Sequence, residues 1–153
     1  MASRGLALAQ VLALALLPQV LPADVLTFAI WPDANPAHSI ACRVELFHGQ
    51  IIAVEVRGTG MPARRALRWP AGLAERAALR QALGAFLTGD LPSVEPYGSR
   101  VPPAPYVTVT WSTLLNDAPV SGLYLQHDLT LPGPLAGVLR AVIPGSGCDL
   151  AVQ

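Results

Sequence analysis

From Ser39 onward apolar and polar residues alternate strictly: Ile40, Cys42, Val44 and Leu46 fall on one side of an extended chain, Arg43 and Glu45 on the other. After His48-Gly49-Gln50 the alternation resumes, with Ile52, Val54 and Val56 set against Glu55 and Arg57. Two period-two segments around a glycine turn predict a β-hairpin. Val25 to Ile30 is a short run of strand formers ended by Trp31-Pro32-Asp33 and the turn-prone Asn35-Pro36, so it predicts a preceding strand. Tyr106 to Leu115 again alternates, Val107, Val109 and Trp111 against Thr108 and Thr110. Asn116-Asp117-Ala118-Pro119 then turns the chain into a returning strand over Val120 to Gln126.

The period changes to that of a helix over Leu73 to Leu87, where Leu79, Ala82, Leu83 and Phe86 form a stripe, Glu75, Arg76 and Arg80 face water, and Thr88-Gly89 closes the segment. Pro134 opens and Pro144-Gly145 stops a second helix over Leu135 to Ile143. Gly58 to Pro70 has little periodicity and reads as a loop with room for one strand at Ala66 to Trp69. Pro92 to Pro105 is too rich in proline for a helix and predicts a long extended connection inside one domain. The order βββ-α-ββ-α predicts an α+β fold, with a mainly antiparallel sheet of about five strands and two helices packed on one face.

The N-terminus follows a different pattern. One positive charge, Arg4, precedes a run from Leu6 to Leu17 that is apolar except for Gln10. A dozen apolar residues fall short of the roughly 20 that a helix needs to cross a bilayer, so residues 1–23 predict a secretory signal peptide rather than a stable membrane anchor. A buried core helix is the competing reading, and a chain of 153 residues has little core to hide one at its end. Pro18 breaks the run, and Val20-Leu21-Pro22-Ala23 predicts cleavage after Ala23. Neither cysteine follows the apolar run as a lipid acceptor would. Residues 24–153 then predict a single small domain.

Composition alters this picture in two respects. The ten basic residues are all arginine, against ten acidic ones, and removing Arg4 with the leader leaves a net charge near −1. Such a balance offers no electrostatic footprint for nucleic acid. The chain has two cysteines, so within one molecule only Cys42–Cys148 can form. In an exported protein that disulfide would fasten the glycine-rich tail Gly145-Ser146-Gly147 to the second strand; the alternatives are a buried thiol at Cys42 and an exposed one at Cys148.

Candidate chemistry is sparse. No cofactor motif, Cys-x-x-Cys, His-x-His, His-Glu-x-x-His or Gly-x-Ser-x-Gly occurs among the residues. His48 falls in a hairpin turn, where solvation is its ordinary role; His127-Asp128 could meet Asp33 or His38 in a mononuclear metal site. Arg64, Arg65 and Arg68 with Trp69 form the densest charge cluster, which would either clamp a carboxylate or phosphate or lie solvated in a loop.

The order helix, hairpin, closing helix over Leu73 to Ile143 resembles that of the small emfourin-type metalloprotease inhibitors, to which this chain adds an N-terminal strand and a cysteine pair. The expected function is a non-enzymatic binding or interaction protein of the periplasm or exterior, with a protein or small-molecule partner and no cofactor. An inhibitor of an exported enzyme is one form of it. The alternative is a small hydrolase or metal-dependent enzyme with a site built from dispersed His and Asp.

Overall fold

The computed structural model describes residues 24–95, 102–144 and 148. The predicted leader over 1–23, part of the proline connection and the glycines of the tail lie outside the described residues. Six strands and two helices follow one another: β1 (Asp24–Trp31), a 3-10 turn (Pro36–His38), β2 (Ile40–Phe47), β3 (Ile51–Gly58), β4 (Arg64–Arg68), α1 (Leu73–Thr88), β5 (Tyr106–Leu115), β6 (Ala118–Gln126) and α2 (Gly133–Val142). The strands form one sheet in the order β4-β3-β2-β1-β5-β6, and every neighbouring pair is antiparallel. This is the expected α+β architecture with one more strand than the pattern suggests.

The extra strand is β4, which spans Arg64–Arg68 where the sequence allows one only over Ala66 to Trp69. Four of its five residues are exposed and the fifth is half-buried, so no buried apolar residue marks it. At the opposite edge, β6 begins at Ala118, two residues before the expected start at Val120. The turn is confined to Asn116 and Asp117, both at positive φ, the signature of a type I′ hairpin turn. Pro119 can enter the strand because Leu123, four residues on, turns its carbonyl outward to accept from the Val94 N–H at 2.7 Å. Pro119 shares that parity, so its missing N–H lies on the outer side and costs no ladder bond. His48 and Gly49, at φ 50 and 68, make the other tight turn, closed by Gln50 N–H to the Phe47 carbonyl at 3.0 Å.

Register puts Phe28 opposite both Cys42 and Val109, and Val54 opposite Val44. One sheet face thereby presents Leu26, Phe28, Ile30, Cys42, Val44, Ile52, Val107 and Val109, all fully buried, to Leu79, Ala82 and Phe86 of α1 and Leu135, Val138 and Leu139 of α2. Phe86 stacks on Trp111 with ring centroids 5.0 Å apart and meets Tyr124 edge-on at 6.0 Å, which anchors α1 over β5 and β6. Gly89 ends α1 in the left-handed region. Cys42 and Cys148 form a disulfide, with Cα atoms 6.4 Å apart, tying the chain beyond α2 to β2. Among the described residues no helix is long and apolar enough to cross a membrane.

Candidate functional site

Both helices pack on one face of the sheet, so the side chains of opposite parity form a second face that, among the described residues, carries no helix. Ion pairs run across its middle. Glu55 on β3 accepts from two arginines, Arg57 at 3.2 Å on Oε1 and Arg65 of β4 at 3.3 Å on Oε2, while Arg43 on β2 pairs with Glu45 at 2.7 Å. Three guanidinium groups against two carboxylates leave this patch with one excess positive charge. Toward one end, Trp31 stacks on Tyr106 at 5.9 Å, and on its other side the small side chains of Ala29 and Ala41 floor a shallow depression of about 190 Å³ rimmed by Ser39, Arg57 and Thr59. Burial pushes the Tyr106 hydroxyl above its ordinary pKa.

The strand period separates the predicted arginine cluster. Arg65 lies opposite Glu55 on the second face, whereas Arg64 and Arg68 lie opposite Val56 and Ile52, whose side chains belong to the core face. Arg68 is also committed: it pairs with Glu75 of α1 at 3.2 Å and donates to the Val142 carbonyl of α2. A joint clamp by all three therefore does not form. The structure leaves a different arrangement, in which Arg64 and Arg65 sit exposed at the start of the edge strand and Leu67 and Trp69, each 74% exposed, lie at its end. Leu67 escaped the sequence reading because it sits in a segment without periodicity. The available signal was the i, i+2 spacing of Leu67 and Trp69 amid arginines.

The loop after β1 brings together Asp33, Asn35 and His38. The Nδ1–H of His38 donates to Asp33 Oδ2 at 2.6 Å, and its Nε2 accepts from Asn35 Nδ2 at 3.4 Å, a tautomer that satisfies both contacts. The hydrogen bond from His38, then that from the Asn35 N–H, holds the Asp33 carboxyl below its ordinary pKa. Ser39, next in sequence, donates instead to the Pro36 carbonyl at 2.7 Å and lies 3.0 Å from the Thr59 hydroxyl. Asp128 is used locally, accepting from Gln126 Nε2 at 2.9 Å and the Thr130 N–H at 2.8 Å, contacts that lower its pKa; burial, then the charge of Asp128, raises that of Tyr124. The 31–39 loop and the 127–128 turn share one end of the sheet, because Trp31 pairs with Tyr106 and Gln126 with Val107. Even so, among the described residues no group of three His, Cys, Asp or Glu side chains could hold a metal ion. His48 is exposed at its turn, and Ser99 and Ser146 lie outside the described residues.

Among the described residues, the edge strand thus carries basic residues at one end and apolar ones at the other, beside a sheet face with a small positive excess. No protein-family model matches the sequence, and no curated protein matches it.

Proposed function

We propose that the chain is an exported, non-enzymatic interaction protein that meets a protein partner at the β4 edge. The observation that carries this reading is the pair Leu67 and Trp69, two large apolar side chains that each keep 74% of their surface in water within three residues of one another. An exposed tryptophan beside arginine has the composition of interface centres. Inhibition of an exported enzyme is one form such an interaction takes.

Export rests on the 1–23 leader and on the disulfide, which is compatible with an oxidising compartment. Cleavage after Ala23 leaves β1 whole from its first residue and keeps the Asp24 carboxylate in reach of the Thr113 hydroxyl, 2.5 Å away. Intact-mass analysis of periplasmic material should give a chain starting within about three residues of Asp24. Full-length protein in membranes would overturn export.

The test of the surface is co-purification with the tagged mature protein, comparing Leu67→Ser/Trp69→Ser with Leu114→Ser/Leu115→Ser, a second exposed pair at the far hairpin. Loss of the partner with the first pair alone supports the reading; retention by both variants overturns it. The Asp33–His38 contact at 2.6 Å is the one observation favouring the alternative, a small hydrolase or metal-dependent enzyme. Activity in a broad hydrolase and metal screen that disappears in His38→Ala would favour that alternative.

A further inference from the structure

We infer that the Cys42–Cys148 disulfide is a redox latch on the partner surface, holding β4 and with it Leu67 and Trp69 in place in the oxidised chain and loosening them in the reduced one. This deepens the proposed contact at Leu67 and Trp69 and rests on it. β4 has no buried residue of its own, since four of its five residues are exposed and Arg68 is half-buried. Besides the ladder with β3 and the Arg65–Glu55 pair, Arg68 carries the strand to the helix layer, pairing with Glu75 of α1 and donating to the Val142 carbonyl of α2. Val142 is the last residue of α2, and a helix frays first at its ends. Six positions further on the chain reaches Cys148.

The register puts both ends of that link beside β4. Cys42 lies opposite Val56 of β3 and Val56 opposite Arg64, so the bridge sits on the rung of the first residue of β4, on the face that the helices cover. Arg68, which holds Val142, stands four residues along the strand, about 13 Å away at the strand rise. With the bridge closed, the chain is fixed on both sides of the last turn of α2. With it open, the end of α2 keeps only its packing and the bond from the Ile143 N–H to the Leu139 carbonyl at 3.1 Å. Each fraying of that turn then withdraws the carbonyl that Arg68 holds. Opening needs an external dithiol: its thiolate attacks one sulfur, the Cys42–Cys148 bond breaks as a mixed disulfide forms, and its second thiol displaces the remaining cysteine. Two electrons and two protons pass to Cys42 and Cys148 as thiols, and the dithiol leaves as a disulfide. Both cysteines are fully buried, so the attack waits on the same fraying. Bridge and Arg68 contact are therefore coupled in both directions, and loss of either loosens the other. A chain made in a reducing compartment would complete its partner surface only after export.

The test compares the mature protein and its Arg68→Ala variant, each oxidised or held in dithiothreitol. In the reduced parent, hydrogen exchange at β4 amides should quicken about tenfold, the factor that a hydrogen bond to a charged group is worth, while β6, the other edge strand, keeps its rates. In Arg68→Ala, β4 should exchange fast already when oxidised, and reduction should add little, because both changes act through one contact. Conversely, dithiothreitol should open the bridge severalfold faster in Arg68→Ala than in the parent. That rate is read on a folded, bridged chain, so it decides the matter even where the reduced form unfolds. Equal rates of opening overturn the latch, as does a reduced chain, folded by circular dichroism, in which β4 is unchanged or both edges quicken equally. Co-purification separates the latch from the reading on which it rests. Retention of the partner by the folded reduced protein, with its loss in Leu67→Ser/Trp69→Ser, leaves the contact standing and overturns its redox control. Retention by Leu67→Ser/Trp69→Ser, with β4 loosened on reduction, overturns the contact and not the latch on the strand.

Discussion

Arg68 of the edge strand donates a guanidinium N–H to the backbone carbonyl of Val142, the last residue of α2. The same side chain pairs with Glu75 in the first turn of α1 at 3.2 Å. One arginine therefore fastens β4 to both helices and satisfies a carbonyl that a helix C-terminus otherwise leaves orphaned, where positive charge is also favoured by the helix dipole. Arg68→Ala should destabilise the fold by about 1.5 to 3 kcal/mol, the range for a hydrogen bond to a charged group. Glu75→Gln should cost less, because the bond to Val142 remains. Urea titration of the two variants checks the order; equal, negligible losses would show the contact to be solvated.

Gly122 faces Trp111 across the β5–β6 ladder. A Cβ at this position would lie 2.7 Å from Trp111 Cζ2 and 2.8 Å from its Cε2, with Ser93 Oγ also at 2.7 Å. Ser93 can rotate away. Trp111 cannot, since it is 7% exposed and stacked on Phe86. Gly122→Ala should therefore destabilise by about 1 to 3 kcal/mol through overpacking and perturb the near-ultraviolet circular dichroism of the indole. An unchanged spectrum and midpoint would mean that the strand shifts freely at this point.

The contrast between the two edges explains which parts of the architecture were legible. β1, β2, β3 and β5 alternate because one face of each is buried against helices, and a period of two follows from that burial. Both helices were readable from their stripes and from Gly89 and Pro134. β4 has no buried face, so the sequence shows only room for a strand at Ala66 to Trp69; the extent of β4 follows from pairing with β3. The same burial logic separates Arg65 from Arg64 and Arg68, which a sequence reading groups because they are neighbours along the chain. Exposure of Leu67 and Trp69 depends on where the chain goes next and cannot be read from residue type.

Asp33 should respond to pH through His38. Its folded pKa lies below the ordinary value, chiefly because of the His38 hydrogen bond, so the carboxylate form is the stabilising one. The contribution is present above the ordinary aspartate pKa, about 4, and is lost as the pH falls through the lower folded value. Carboxyl NMR titration should place Asp33 below an ordinary aspartate, and His38→Ala should bring it back toward that value. Asp33→Asn should differ from the parent in stability at neutral pH and converge with it in acid. A titration of Asp33 unmoved by His38→Ala would sink this account.

The disulfide makes the strongest stability prediction. Cys42 is fully buried on the helix face, between Phe28 of β1 and Val56 of β3 in the register, and its partner Cys148 lies 106 positions away and is equally buried. A bridge closing so long a loop restricts the unfolded chain strongly, so its removal should cost about 2 to 5 kcal/mol. The replacement residue matters as well. Serine at position 42 would put a hydroxyl where water does not reach, a further cost of about 1 to 3 kcal/mol unless it finds an acceptor, whereas alanine leaves a small void without a polar group. Cys42→Ala/Cys148→Ala should therefore be less destabilised than Cys42→Ser/Cys148→Ser, and reduction of the parent should lower its unfolding midpoint. The direct measurement is thiol titration of the unfolded, unreduced protein. No reactive thiol is expected; two would mean that the bond does not form, and the double variants would then lose only packing.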